Sequence, residues 1–78
     1  MDKQLALTHR ETEVLDLIWG GQKNRDISAH MHISTKTVEA HRSNMMKKLR
    51  VSNTAQLLKS AIEEGFIHIR AAADRKRI

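Results

Sequence analysis

The chain has 78 residues, no Cys, no Pro, no Tyr, one Trp and one Phe, and it carries a formal charge of +5 with neutral His. That length allows one small domain with a modest core rather than a large enzyme cleft, and without Cys there is no disulfide framework, thiolate zinc site or cysteine nucleophile. No apolar stretch approaches the roughly 20 residues of a membrane span, and no apolar run of a signal peptide follows the charged start Met1–Gln4.

Few aromatic residues disfavour a sandwich or barrel, whereas Leu, Ala, Met, Lys, Glu and Gln favour helix. An all-α fold is therefore expected, a four-helix bundle. The first helix is predicted over residues 8–19. Thr8-His9-Arg10-Glu11 is a capping box, in which the Thr hydroxyl takes the Glu11 backbone N–H and the Glu side chain reaches back. Val14, Leu15, Ile18 and Trp19 share the spacing of one buried face. Gly20-Gly21 stops the helix, because glycine accepts the left-handed turn.

The second helix is short, residues 25–31, with Asn24 as N-cap and Asp26 in its first turn. Ile27 and Met31 form its inner face. The third is predicted over residues 35–50 with Ser34 as N-cap. At 100° per residue, Val38, Arg42, Met45 and Leu49 share one sector, with His41 at its edge. Lys36, Ala40, Ser43 and Lys47 lie opposite, flanked by Glu39. The fourth covers residues 54–64, where Asn53-Thr54-Ala55-Gln56 resembles a second capping box. Leu57 and Ala61 point to its core, Gly65 ends it, and Phe66 and Ile67 offer an apolar contact beyond. The domain is expected over residues 1–67, followed by a basic tail, 68–78, either helical or disordered.

The charge is unevenly placed. Residues 23–50 carry Lys23, Arg25, Lys36, Arg42, Lys47, Lys48 and Arg50 against Asp26 and Glu39, a net +5. Residues 1–22 sum to −2, residues 51–67 to −1 and the tail to +3. The excess on the middle of the chain fits a nucleic-acid footprint, with a solvated charged face as the plainer alternative.

Two helices joined by a short turn around His32–Ser34 predict a helix-turn-helix, with the third helix as the reader. Ala40 and Ser43 are short enough to let backbone approach base edges. Lys36 suits guanine acceptors, Glu39 the cytosine amine, and Ala40 a thymine methyl. The cap hydroxyl and the N–H groups at Thr35–Thr37 suit a phosphate.

These blocks carry a resemblance. Leu7-Thr8-x-Arg10-Glu11-x-Glu13-Val14-Leu15, Gly21, Asn24-x-x-Ile27, Ile33-Ser34-x-x-Thr37-Val38-x-x-His41, Asn44-x-x-x-Lys48-Leu49-x-Val51 and Ala61 resemble the LuxR/FixJ/NarL-type helix-turn-helix domain over residues 5–67. Thr37 to Asn44 is closest to FixJ-like response regulators. Asp26 and Ser28 depart from the family's common Glu and Ala, at packing positions. The resemblance implies sequence-specific binding of double-stranded DNA, as a homodimer, for transcription regulation. It puts Lys36, Glu39, Ala40 and Ser43 on the bases. It puts Asn24, Arg25, Thr35, Thr37, Lys47 and Lys48 on phosphates, and the dimer contact on Ala55, Leu58, Lys59 and Ile62. It also implies a cytoplasmic output domain, a receiver or ligand-binding domain outside this stretch, and RNA polymerase as a candidate partner. An excised effector domain or a free-standing one is expected at this length. No cofactor and no enzyme activity are expected.

Several residues admit plainer roles. His41 reads as a packed structural histidine, and His30-x-His32 lacks a third ligand and the helical spacing of a metal pair. Met31, Met45 and Met46 read as packing. Arg42 can reach a phosphate or a base, or pair with Glu13 across the bundle. A sigma-factor region shares the helix-turn-helix, but the capped fourth helix argues against it. A helical protein–protein adaptor explains the apolar edge of the last helix, but not the basic residues clustered on 23–50.

Overall fold

The computed structural model describes residues 7–67, so the predicted tail at 68–78 lies outside the described residues. Four helices follow one another: α1 (His9–Trp19), α2 (Asn24–Met31), α3 (Thr35–Leu49) and α4 (Thr54–Glu63). There is no strand among the described residues. The fold is all-α.

Local chemistry sets each start. Glu11 donates its backbone N–H to Thr8 Oγ1 at 3.0 Å, and Thr8 N–H donates to Glu11 Oε1 at 2.9 Å. The predicted box at α1 is therefore complete. Ser34 caps α3 by accepting from the Thr37 N–H at 3.0 Å. Asn53 caps α4 in the same way, taking the Gln56 N–H at 2.9 Å. Gln56 does not close that box on Asn53. Its Oε1 accepts from the Ser52 N–H at 2.9 Å, one residue further back. At α2 the expected cap is corrected. Asn24 is already helical, Lys23 is the extended residue before it, and Asp26 takes the Lys23 N–H at 3.3 Å. An Asp in the third helical position satisfies a leading donor as well as an Asn cap would.

The stops also have local causes. Gly21 sits at φ +89° and Gly65 at φ +84°, where an L side chain is disfavoured. His32 and Arg50 end α2 and α3 at φ 59° and 55° without glycine.

The core collects Val14, Leu15 and Ile18 from α1, Ile27 and Met31 from α2, Val38, Met45 and Leu49 from α3, Leu57 and Ala61 from α4, and Ile67 beyond it. Seven of these side chains are fully buried, and the six larger than Ala61 each contribute about 1.5–3 kcal/mol relative to exposure. Helix α3 packs against each of the other three. Trp19 departs from the expected stripe. It is 43% exposed and is no part of the core. The helix ends at that residue, so there is no further turn of α1 for its ring to pack along.

Candidate nucleic-acid interface

Burial of Val38, Met45 and Leu49 fixes the rotation of α3 about its axis. The opposite face is left outward. Lys36, Glu39, Ala40, Ser43 and Lys47 are all exposed, on a stripe that runs the length of the helix. No side chain larger than Ser interrupts its centre, where Ala40 and Ser43 sit.

The start of α3 presents hydroxyls and amides together. Thr35 and Thr37 are exposed, and Ser34 Oγ lies 3.0 Å from Thr37 Oγ1. The cap consumes the Thr37 N–H. The Thr35 and Lys36 N–H groups lie in the first turn, where a helix offers no backbone acceptor. They are the amides left to meet an anion. Arg25 is exposed on α2, and Asn24 beside it is half-buried.

Two of the predicted phosphate residues are tied into the bundle. Lys48 Nζ donates to Glu11 Oε1 at 2.7 Å, and that carboxylate is buried. Arg42 does not reach Glu13, whose carboxylate takes Arg10 at 2.9 Å and His9 at 3.6 Å. Instead Arg42 Nη1 donates to Asn24 Oδ1 at 3.3 Å and Nη2 donates to Thr54 Oγ1. His41 is half-buried, as its place at the edge of the core sector predicts.

Burial of Glu11 pushes its carboxyl up. The Lys48 hydrogen bond, the Thr8 N–H and the positive charge of Lys48 and His41 outweigh that and hold it below the ordinary value of 4.5.

On α4, Ala55 and Lys59 are exposed while Leu58 and Ile62 are half-buried against the core. Lys59 pairs with Glu63 at 3.5 Å along the helix. His30 and His32 are both exposed. A shallow cleft between α1 and α2 is lined by Glu13, Asp16, Leu17, His30 and Met31, none of them on the α3 stripe.

Three relationships are not evident from the sequence: Glu11 with Lys48, and Arg42 with both Asn24 and Thr54. The first joins residues 37 positions apart. The capping box at Glu11 gave a complete local reason for that carboxylate and left no sign of a second partner. Thr54 carried only the signal of a capped helix start.

A short, capped helix pair with one outward stripe in a basic surround defines a helix-turn-helix of the DNA-binding class. The family of bacterial regulatory proteins, luxR family, matches residues 5–61. The chain belongs to this family of DNA-binding transcription regulators, which are not enzymes. It is 48% identical over 59 residues to the response regulatory protein YgeK of Escherichia coli K12, covering 76% of this chain and 40% of that one. It is 41% identical over 64 residues to the transcriptional regulatory protein DegU of Brevibacillus brevis, covering 82% and 27%. It is 39% identical over 61 residues to the transcriptional regulatory protein MctR of Rhizobium johnstonii, covering 78% and 28%. The chain thus spans less than half the length of these curated relatives. Among the described residues no helix is long and apolar enough to cross a membrane.

Proposed function

We propose that this chain is the cytoplasmic DNA-binding output domain of a two-component response regulator, acting on double-stranded DNA as a homodimer. The observation that carries the reading is the α3 stripe, outward along its full length while the opposite face is locked in the core. Lys36, Glu39, Ala40 and Ser43 read base edges in the major groove. Thr35, Thr37, Asn24, Arg25 and Lys47 contact phosphates, with Arg42 and Lys48 adding positive charge from the flanks. Ala55, Leu58, Lys59 and Ile62 form the contact between two copies, placing their recognition helices on half-sites about 34–36 Å apart. The response-regulator reading is supported by the name of the YgeK relative and by the fraction of each relative left uncovered. A receiver domain supplies the switch, and RNA polymerase is the partner at the promoter.

Selection of bound sequences from a random duplex pool tests this. The expected product is a two-fold-related pair of half-sites. Recovery of no enriched sequence, with equal retention on every duplex, would sink the assignment of α3 as a base reader.

A further inference from the structure

Arg42 stands where α2, α3 and α4 meet. Its two terminal nitrogens are held by Asn24 Oδ1, at 3.3 Å, and by Thr54 Oγ1. Both acceptors are neutral, and among the described residues Arg42 forms no ion pair. A guanidinium can only donate, so each contact fixes the polarity of the group it meets. Asn24 must turn its carbonyl oxygen to Arg42, which directs the amide hydrogens the other way. Thr54 accepts from Arg42, so its own proton points elsewhere. The Asn24 amide hydrogens and the Thr54 hydroxyl proton are thus left free for another acceptor, beside a positive charge, and none of the three residues is a carboxylate.

All three are half-buried, so the cluster is open to solvent. A cationic cluster with hydrogen-bond donors to spare suits an anion with several acceptor oxygens. It lies on the Glu39 flank of the outward stripe: Arg42 is three residues after Glu39, one turn on, and reaches toward the first residues of α2 and α4. A sugar–phosphate strand bordering a groove that holds α3 passes along such a flank.

We propose that Arg42 is a positioning residue that orients Asn24 and Thr54 as donors to one DNA backbone phosphate, bringing α4 into contact with DNA. This rests on α3 being the recognition helix.

The test is binding of a random-sequence duplex by anisotropy, with a melting curve for each variant. Asn24→Asp keeps an oxygen for Arg42 and adds an opposite charge, but removes the outward donor. It should bind about tenfold more weakly and melt no lower than wild type. Thr54→Val, similar in shape, should lose about three- to tenfold on every duplex alike. Arg42→Lys keeps the charge but cannot span both acceptors, and should lose as much as Thr54→Val. Wild-type affinity in either Asn24→Asp or Thr54→Val, or in Arg42→Lys, would overturn the proposal. Inorganic phosphate at matched ionic strength should not compete. Displacement of duplex from wild type but not from Thr54→Val would assign a free anion to the cluster and overturn it too. If wild type itself shows no salt-dependent duplex binding, the α3 reading fails instead.

Discussion

Glu11 and Lys48 meet at 2.7 Å, joining the first turn of α1 to the last turn of α3. The Glu11 carboxylate is 3% exposed and also accepts from the Thr8 N–H. One side chain therefore starts α1 and holds the far end of the recognition helix. The pair is buried enough that losing one partner matters more than its formation, because it strands a desolvated charge.

Glu11→Gln keeps the shape and the acceptor for Thr8 but removes the charge opposite Lys48. It should destabilise the domain by about 1–3 kcal/mol, read from denaturant midpoints at neutral pH. The wild type should also be acid-sensitive in a way the variant is not. The folded carboxyl ionises below its ordinary value of 4.5, so its ionised form stabilises the fold. That stabilisation is complete above 4.5 and is lost as pH falls through the lower folded value. A stability difference between the two proteins that stays constant as pH falls from 7 through 4.5 and below would count against the pair.

Met45 is fully buried on the inner face of α3. Met45→Ala should cost about 2–5 kcal/mol, while Met45→Leu should cost under about 1.5 kcal/mol. In a domain this small the first loss approaches the whole folding free energy, so circular dichroism at 37 °C should show partial unfolding of Met45→Ala.

Gly21 lies at φ +89° with open space where a Cβ would stand. Gly21→Ala therefore meets no clash and reads backbone strain alone. The expected loss is about 1–2 kcal/mol in thermal or denaturant unfolding, with DNA affinity per folded molecule unchanged.

Lys36→Ala and Glu39→Ala should change which sequences are preferred, each by about 1–3 kcal/mol at one base position. Repeating the duplex selection with each variant reads this directly. Enriched sequences identical to those of wild type would remove both residues from base reading.

Lys47→Ala should weaken all duplexes alike and flatten the plot of log affinity against log salt by about 0.9, one phosphate's share. A slope unchanged from wild type would mean that Lys47 touches no phosphate.

Much of the fold was legible because its signals are local. Thr8, Ser34 and Asn53 announced helix starts by side-chain chemistry acting over three residues. The inner faces followed from period, and Val38, Met45 and Leu49 came out buried as their spacing requires. The outward stripe of α3 followed for the same reason, since one face determines the other. Trp19 shared the period of its helix but fell on the last residue, where period says nothing about a neighbour. Asn24 was a plausible cap, yet Asp26 satisfied the Lys23 N–H, and two local solutions to one need cannot be ranked from letters. The partners of Arg42 depend on where α4 begins in space. Its three readings were a phosphate, a base and Glu13, and the contacts found, Asn24 and Thr54, were in none of them.

The turns at either end of α3 hold His32 and Arg50 in left-handed backbone rather than glycine. Each conformation costs the folded chain about 1–2 kcal/mol. A glycine at either place would relax that strain, but it would also enlarge the number of states open to the unfolded chain, worth about 0.4–1 kcal/mol in the other direction. The strain is the larger of the two, so the limits of the recognition helix are held against it by backbone bonds in the turns, His32 N–H to the Ser28 carbonyl and Arg50 N–H to the Lys47 carbonyl.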